Sequence, residues 1–382
     1  MEMTAIGQRS LASRSRAAIS LVLAICFCYC VAIQAQVAPT GLEPEAELQT
    51  GTDLTHKGLF SEAIPHLLAG RGRASNDYAA NFNLALCYLA TKNPKEAIPI
   101  LNDLRREGHD NADVGNLLAQ AYVGNEQPQE ALAALQSAAV LSPENEKLYV
   151  FVSDACRDHG DFRLGLKVIE AGLKNLPQSA RLHYERALFL IQLDESGRAK
   201  PEFELANKLA RGGEIGYLAA AHEALSEGKI EEAIRVARAG VQKSYDSHGL
   251  LTILGEALLR SGITPGQPEF VEAQNALEKT VAEHPDDPES HIALGSIFLI
   301  SGRLEDAIAH LEKARQLDPG KPSVYANLAK AYQRHGDFAR AKDALAVLQK
   351  LNHDEVERIN SAPGDQKVGY SGGPDEGVPP HP

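Results

Sequence analysis

The sequence predicts an all-α solenoid of about nine stacked helical hairpins. A small residue recurs every 34 residues, with a single step of 40. A second small residue stands 12 positions earlier in eight of the nine units and 18 earlier in the other one. Such a period indicates stacked two-helix repeats rather than one globular core. The recurring residues are Ala63, Ala97, Ala131, Gly165, Ala199, Ala233, Ala273, Ala307 and Ala341.

Residues 1–35 are predicted to be a secretory signal peptide, followed by a polar linker over residues 36–43. Arg9, Arg14 and Arg16 give a basic start, an apolar run follows, and Ala35 offers a small residue for cleavage. An uncleaved anchor is the alternative, because the apolar run is near the minimum length for a membrane span. Cleavage predicts a periplasmic or secreted protein exported by the Sec pathway. An uncleaved segment predicts anchoring in the inner membrane.

The array is predicted over residues 44–355, as nine units of helix A, a short turn and helix B. The unit that begins at Pro288 shows the pattern most clearly. Leu294, Gly295 and Phe298 share one face of helix A, and Gly302 turns the chain. Helix B follows with an apolar stripe at spacings of three and four, formed by Ala307, Ile308, Leu311 and Ala314.

The paired small residues are predicted to mark the crossing of helices A and B, since two helices approach closely where both carry small side chains. Pro65, Pro99 and Pro201 share one position, two residues after the small residue of helix B. A proline costs little in the first turn of a helix, because the N–H there has no helical partner. We therefore expect these prolines to lie in the first turn of helix B.

Two segments depart from the repeat. Residues 263–268 lie between the helices of the seventh unit, and their two prolines and one glycine predict a loop. This loop either carries contacts at an edge of the stack or is a tolerated change in length. Residues 356–382 are predicted to be a short closing segment and a disordered tail rich in Gly and Pro, with a short closing helix expected over residues 354–360.

The repeat resembles the tetratricopeptide repeat family over about four-fifths of the chain. That family has a large apolar residue, then Gly or Ala, then an aromatic residue on helix A, as in Leu84-Ala85 with Tyr88. It also has a closing proline, as at Pro319. Arg186 departs from the pattern, because it stands where a large apolar residue belongs. The resemblance implies a right-handed solenoid whose inner wall is lined by helix A and holds peptides.

Charge and motifs argue against several classes of function. The net charge of −13, which becomes −15 without residues 1–35, opposes binding to nucleic acid and to anionic lipid. Cys87 and Cys156 lie two repeats apart and are expected to be buried thiols rather than a disulfide. No metal-ligand spacing, phosphate-binding loop or nucleophile motif occurs. The sequence therefore predicts no cofactor, no metal, no catalytic residue and no small-molecule substrate.

The inner wall is the predicted site of partner binding. Residues of helix A just outside the packing pattern are expected to form an apolar surface there, with an acidic rim that favours basic segments of a protein or peptide. Burial of part of this wall by neighbouring A helices is the alternative. The predicted residues are Phe82, Leu86, Leu89, Tyr184, Leu188, Ile191, Leu218, His222, Leu225, Ile292, Ser296 and Leu299.

Asn116 and Lys147 are added to this set because they lie near positions with which some members of the family hold a carboxylate terminus. The other basic and Asn residues of such a clamp are missing, so the sequence does not predict that activity. The predicted function is a non-catalytic scaffold or adaptor of the cell envelope. Self-assembly through a poorly capped C-terminal end is the alternative. An enzyme with an unrecognised site is a third reading, for which no constellation of residues is found.

Overall fold

A computed structural model of the chain describes residues 43–243 and 247–361, with side chains up to Asp354. These residues form 18 α-helices and no strand. The helices alternate as A and B members of nine hairpins, so the predicted all-α hairpin fold is confirmed. The predicted signal peptide, the linker before residue 43 and the tail after Ser361 lie outside the described residues.

The helices fall into two compact units, and each is described by itself. The N-terminal unit ends at Leu141 and the C-terminal unit begins at Ser142. The N-terminal unit contains α1 (Pro44–His56), α2 (Phe60–Gly70), α3 (Asp77–Ala90), α4 (Pro94–Arg106), α5 (Ala112–Gly124) and α6 (Pro128–Leu141). The C-terminal unit contains α7 (Glu146–Asp158), α8 (Phe162–Asn175), α9 (Ala180–Gln192), α10 (Ser196–Leu209), α11 (Glu214–Ser226), α12 (Ile230–Gln242), α13 (His248–Arg260), α14 (Pro268–Glu283), α15 (Pro288–Ser301), α16 (Leu304–Leu317), α17 (Pro322–His335) and α18 (Phe338–Ser361).

Helices A and B of each hairpin cross at the predicted small residues. All nine recurring residues of helix B are buried. A Cβ atom added at Gly51, Gly255 or Gly295 of helix A would lie 2.5–2.7 Å from the leucine four residues after the small residue of helix B. The side chains at the crossing are thus in close contact, as helices with small residues at their interface require.

The A helices line the inner side of each unit. In the described residues, each A helix contacts the next A helix of its own unit, whereas the B helices contact A helices alone. Since the A helices are therefore closer together than the B helices, the face that they form is the inner face of the stack within that unit. We call it the A-helix face.

Every turn from helix A to helix B has a residue with positive φ at the same place, seven positions after the small residue of helix A, and the longer turn of the seventh hairpin has a second one, Gly266. The residue at the shared place reverses the chain at the end of helix A, where a left-handed residue satisfies the last free carbonyl groups. Glycine occupies six of the nine places, and Lys92, Glu126 and Asp194 occupy the other three at φ of 57–59°. The glycines are Gly58, Gly160, Gly228, Gly262, Gly302 and Gly336.

Replacing Lys92 with glycine is therefore expected to stabilise the N-terminal unit by roughly 0.5–1 kcal/mol, because glycine adopts positive φ without the Cβ clash. The matched control is Lys57→Gly, at a turn residue with φ of −85°, which gains no such relief and loses backbone entropy. Urea unfolding followed by circular dichroism compares the two variants. Equal effects of the two substitutions would contradict the strain at Lys92.

The prediction for Pro65, Pro99 and Pro201 is wrong by about one turn. Each is the sixth residue of its helix, in α2, α4 and α10, rather than a first-turn residue. Helix B starts earlier because the left-handed residue of the preceding turn, Gly58 in the first hairpin, sends the chain directly into the helix. Each proline therefore leaves one helical carbonyl near the start of helix B without its usual N–H donor.

The closing prolines hold a polar contact that the sequence analysis did not predict. Each lies two residues beyond the end of a B helix, and its carbonyl contacts a Tyr or His six residues later on the next A helix. This Tyr or His lies four positions before the small residue of its A helix. The contacts are Tyr149 Oη–Pro143 O (3.4 Å), His183 Nε2–Pro177 O (3.1 Å), His291 Nε2–Pro285 O (3.1 Å) and Tyr325 Oη–Pro319 O (2.8 Å).

At the two predicted departures from the repeat, residues 263–268 and the C-terminal segment, the structure differs from the expectation. Pro268 is the first residue of α14 rather than part of the loop, so the six additional residues extend both the loop and helix B. The expected separate helix over residues 354–360 is the continuation of α18, which runs unbroken to Ser361. Cys87 and Cys156 are buried free thiols, as predicted.

Candidate functional site: the A-helix face of the N-terminal unit

An apolar stripe runs along α3, the middle A helix of the N-terminal unit. Phe82, Leu86 and Leu89 recur at spacings of four and three and so lie on one face of the helix. All three are half-buried, in contrast to Leu84 on the packing side of α3, which is fully buried. The α3 stripe, defined by these three residues, therefore combines a fixed position with apolar surface that remains in contact with solvent.

Aromatic and polar contacts fix the start of the stripe. The ring of Phe82 stacks on that of Tyr78 one turn earlier, with centroids 5.7 Å apart. Tyr78 also contacts the ring of His109 at 4.9 Å, and its hydroxyl accepts a hydrogen bond from Asn111 Nδ2 at 3.2 Å. Tyr78 is thus held from the next hairpin, and it limits the rotamers that Phe82 can adopt.

Hydrogen bonds join α3 to the preceding A helix, α1, beside the stripe. Asn83 Nδ2 of α3 donates to Thr52 Oγ1 of α1 at 3.3 Å, and Thr55 Oγ1 lies 3.2 Å from Cys87 Sγ. On α5, the predicted residue Asn116 is buried, and its Oδ1 accepts a hydrogen bond from Gln120 at 2.7 Å. Asn116 therefore belongs to the internal packing of α5, and the exposed apolar surface of this face comes from α3.

The A helices of the N-terminal unit carry negative charge alone. The sequences of α1, α3 and α5 contain no Lys or Arg, and their carboxylates are Glu45, Glu47, Asp53, Asp77 and Asp113. Of these, Glu47 is buried and lies 2.7 Å from His66 Nδ1. The A helices of this unit therefore contribute carboxylates and no Lys or Arg to the face, although Arg71 at the end of α2 acts on Tyr88 of α3. This acidic excess of the A helices favours a cationic partner.

The equivalent stripe in the C-terminal unit is more deeply packed. Tyr184 of α9 is buried, and its ring lies 6.1 Å from Phe203 and 5.6 Å from His222 of α11. Its hydroxyl is 2.9 Å from His222 Nδ1. Burial lowers the pKa of His222 to about 4 and raises the pKa of Tyr184. Leu188 and Ile191 complete this stripe and are half-buried.

A group of charged residues that the sequence analysis missed joins α7 to α9. Glu185, only 1% exposed, accepts hydrogen bonds from Arg157 of α7 and from Arg181 Nε at 2.6 Å. Arg157 Nη1 also donates to Asp154 at 2.9 Å. Burial raises the pKa of Asp154 to about 6, against the opposing effect of Arg157. The two acidic and two basic side chains balance, so this part of the face has no net charge.

The remaining predicted residues are mostly part of the internal packing. Four of them are buried between helices of the C-terminal unit and so do not reach the surface: Leu218, Leu225, Ile292 and Leu299. For these residues the alternative that the sequence left open, burial of part of the inner wall, applies. Ser296 is half-buried, and its hydroxyl accepts a hydrogen bond from Asn327 at 3.3 Å. Lys147, near the start of α7, is exposed. The α3 stripe is thus the part of the predicted set that keeps a continuous apolar surface.

The seven-residue loop between α13 and α14 borders a cleft of about 340 Å³. Glu231, Ile234 and Arg238 of α12 form one wall, and Ile263 and Gln267 of the loop form the other. Arg238 donates to both carboxylate oxygens of Glu272, at 2.8 and 2.7 Å, so its charge is already neutralised. This cleft presents little apolar surface compared with the α3 stripe, because Ile234 and Ile263 are buried.

The described residues contain no group of three or more His, Cys, Asp or Glu side chains that could hold a metal ion. Among the helices of the same residues, none has the length and apolar character needed to cross a membrane.

Comparison with known proteins gives consistent family matches. Two family models, both described as tetratricopeptide repeat, match this chain, one over residues 54–121 and 298–362 and the other over residues 266–322. The TPR repeat-containing protein YpiA of Bacillus subtilis is 22% identical over 267 residues, which is 69% of this chain and 53% of YpiA. The chain spans about half the length, or less, of the curated relatives that it matches.

Two solved structures have a similar course of the chain. One is the APC/C hetero-tetramer Cut9-Hcn1, at a TM-score of 0.45 and 13% identity over 76% of this chain and 57% of that one. The other is a tetratricopeptide repeat protein from Parabacteroides merdae, at a TM-score of 0.43 and 18% identity over 76% of this chain and 99% of that one.

Proposed function

We propose that this chain, which belongs to the tetratricopeptide repeat superfamily, is a non-catalytic scaffold that binds a partner protein or peptide on the A-helix face of its N-terminal unit. The tetratricopeptide repeat fold is generally a scaffold for protein–protein interaction. The setting that we propose is the cell envelope, on the basis of the signal-like pattern of residues 1–35.

One observation supports the choice of surface. The α3 stripe leaves Phe82, Leu86 and Leu89 half-exposed on helices whose only charges are carboxylates. Apolar side chains that project from a rigid helix contribute binding energy by burial, at about 25 cal/mol per Å² of apolar area. The surrounding carboxylates add specificity, because they attract basic residues and repel acidic ones.

The partner segment that fits this surface is amphipathic. Its apolar residues would cover the α3 stripe, and Lys or Arg side chains beside them would face the carboxylates of α1, α3 and α5. An extended or a helical segment can meet this requirement, since both present apolar residues at regular intervals. Acidic segments of the same apolar pattern would be repelled.

The first test uses peptides as defined probes. We expect an amphipathic peptide with Lys at its polar positions to bind the chain at least tenfold more tightly in low salt than the same peptide with Glu there. Fluorescence anisotropy measures both affinities, and the difference should shrink as salt screens the charges. Equal binding of the two peptides would contradict the acidic surface.

The second test locates the site. Phe82→Asp and Leu86→Asp are each expected to reduce binding of the Lys peptide at least tenfold, because they place a charge in the apolar contact. The matched control is Leu68→Asp on the B helix α2, where the native leucine is 37% exposed. Circular dichroism checks that each variant remains folded. Loss of binding in the control, or retention in both stripe variants, would refute this location.

A further inference from the structure

One contact between helix A and helix B joins acidic or histidine side chains in three of the nine hairpins. Its A-helix member lies four positions before the small residue of helix A, and its B-helix member lies three positions after the small residue of helix B. In the first and fifth hairpins the contact pairs a histidine with a carboxylate, at Glu47 Oε2–His66 Nδ1 (2.7 Å) and His183 Nδ1–Glu202 Oε2 (2.6 Å). In the eighth hairpin both members are histidines, and Nδ1 of His291 lies 3.0 Å from Nδ1 of His310. The other six hairpins have no His, Asp, Glu, Lys or Arg at either place.

The two histidines of the eighth hairpin point their Nδ1 atoms at each other. His291 of α15 is 5% exposed, and His310 of α16 is half-buried, with its ring 5.4 Å from that of Phe298. The two imidazole centroids are 5.1 Å apart, which is close to the largest separation that a 3.0 Å contact between ring atoms permits. The Nδ1 atoms therefore meet head to head, as in an N–H···N hydrogen bond. We call His291 and His310 the histidine pair.

The histidine pair can accept one additional proton but not two. Nε2 of His291 lies 3.1 Å from the carbonyl oxygen of Pro285, which can only accept, so this nitrogen carries a hydrogen. Nδ1 of neutral His291 therefore has a lone pair and accepts a hydrogen bond from the Nδ1–H group of His310. One added proton still leaves an N–H group facing a lone pair. A second added proton makes two N–H groups and two positive charges face each other, which breaks the contact.

The histidine–carboxylate contacts of the first and fifth hairpins respond in the opposite way. Protonation of His66 or His183 places a positive charge beside a carboxylate, and the two then form an ion pair. The same place in the repeat is thus compatible with a charged histidine in two hairpins. In the eighth hairpin a second histidine stands where the carboxylate would be.

Charged groups of both signs surround the histidine pair at longer range. On α16 and in the turn before it, Arg303 and Lys313 oppose a positive charge on the pair, whereas Asp306 favours it. The carboxylates of other segments that favour it are Asp286 and Asp287, before α15, and Glu278 of α14. Burial nevertheless lowers the pKa of both histidines, and His291 lowers the pKa of His310 further.

The polar groups that α13 and α17 direct at this hairpin have partners of their own. Thr252 Oγ1 of α13 lies 2.9 Å from Ser290 Oγ of α15. Lys321, just before α17, is paired with Glu289 of α15. The Tyr332 hydroxyl of α17 donates to Glu312 of α16 at 2.5 Å. These groups therefore do not replace the carboxylate that the histidine pair lacks.

The direction of the pH effect follows from the lowered pKa values. Histidines of a separated hairpin titrate near the ordinary pKa of 6.5, whereas the closed contact resists protonation. Below about pH 6.5 the open hairpin therefore binds more protons than the closed one. The contribution of the contact to stability is complete above that pH, and it is lost as the pH falls through the pKa values of the closed pair.

We propose that the histidine pair is a pH-sensitive contact that holds α15 against α16 at neutral pH and lets the eighth hairpin open in weak acid. Opening exposes apolar side chains of the A–B crossing, among them Leu294, Phe298 and Leu311, which are at most 3% exposed when the hairpin is closed. It also releases the ninth hairpin, because in the described residues α17 and α18 contact the rest of their unit through α15 and α16 alone. This regulation belongs to the C-terminal unit and is independent of the partner proposed for the α3 stripe.

Hydrogen exchange on the full chain at pH 7.5 and pH 5.0 tests the opening, with rates corrected for the intrinsic pH dependence of exchange. The protection of the α15 and α16 amides is expected to be at least about tenfold lower at pH 5.0, because the open hairpin takes up a proton that the closed pair excludes. The α3 and α4 amides of the N-terminal unit should change by less than about threefold. Unchanged protection of α15 and α16, or an equal loss in α3 and α4, would overturn the proposal.

Two substitutions of His310 assign the effect to the histidine pair. His310→Gln supplies an amide that can accept from a charged His291 or donate to a neutral one, and His310→Glu recreates the contact of the fifth hairpin. Both variants should keep the protection of α15 and α16 at pH 5.0 within about threefold of its value at pH 7.5. Circular dichroism at pH 7.5 checks that each is folded. An acid loss as large as in the wild type, in either folded variant, would overturn the proposal.

The matched control is His248→Gln, in the other close pair of histidines of this unit. The rings of His248 and His284 have centroids 4.1 Å apart, and both residues are exposed, so water can solvate their charges. This variant removes one histidine and leaves the histidine pair of the eighth hairpin in place. It should lose protection of α15 and α16 in acid as the wild type does. If His248→Gln abolished the acid response, the response would belong to the other two histidines and the proposal would be wrong.

Discussion

Replacing Phe203 with alanine is expected to destabilise the C-terminal unit by about 3–5 kcal/mol, the usual cost of removing a buried aromatic side chain. Phe203 of α10 is 1% exposed. Its ring stacks on His222 of α11 with centroids 6.1 Å apart and lies at the same distance from Tyr184 of α9. The substitution therefore leaves a cavity shared by three helices and releases the hydrogen-bonded Tyr184–His222 pair.

Hydrogen exchange is the suitable measurement for Phe203→Ala, because repeat arrays open locally rather than in one cooperative step. The amides of α9, α10 and α11 should lose most protection, and those of α16 should lose least. Phe151→Ala is the matched control, since Phe151 is 49% exposed and its removal creates no cavity. That variant should change stability by no more than about 0.5 kcal/mol. Comparable losses of amide protection in the two variants would contradict the contribution of Phe203 to the core.

The second large effect is expected from Gly216→Ala, which should destabilise the C-terminal unit by about 1–3 kcal/mol through overpacking. Gly216 is the third residue of α11. An added Cβ atom would lie 2.4 Å from the carbonyl oxygen of Ala210 and 3.1 Å from its carbonyl carbon. Because that carbonyl already accepts a hydrogen bond from the Gly213 N–H at 2.8 Å, the backbone has little freedom to move away.

Gly197→Ala is the matched control for this substitution. Gly197 is the second residue of α10, in the same unit, and an added Cβ atom would meet no atom within 4 Å. Alanine there should be neutral or stabilise the helix by up to about 1 kcal/mol. Thermal unfolding of the two variants should therefore shift in opposite directions or by clearly different amounts. A Gly216→Ala protein as stable as the wild type would contradict this prediction, because it would mean that the backbone at Ala210 moves away from the added Cβ atom at little cost.

The hairpin fold could be predicted from the sequence because its main determinants are local and periodic. Ala63, Ala307 and their equivalents are small for one reason, the close crossing of two helices that are neighbours in the chain. The residues at which the B helices begin are harder to predict from the sequence. They depend on left-handed turn residues, and three of these, among them Lys92 and Glu126, are not the glycines that signal positive φ in a sequence.

The candidate site could be predicted only in part, because exposure depends on contacts between hairpins. Phe82 and Tyr184 hold the same position in their repeats, yet Phe82 is half-exposed whereas Tyr184 is covered by Phe203 and His222. The salt bridge of Arg157 with Glu185 joins residues 28 apart, a spacing that gains meaning only when adjacent A helices are known to touch. Arg186 likewise replaces an apolar residue and pairs with Glu202 at 3.3 Å, a partner on the following B helix.

The loop between α13 and α14 has a practical consequence. Thr264, Pro265 and Gly266 are exposed, and the extra length there is accommodated while the helices on both sides stay paired in a hairpin. A fluorophore or a short epitope placed at Thr264 would thus report on the molecule without disturbing the packing of α13 against α14. The same position would serve to tether the protein to a sensor surface while the hairpin of α13 and α14 stays intact.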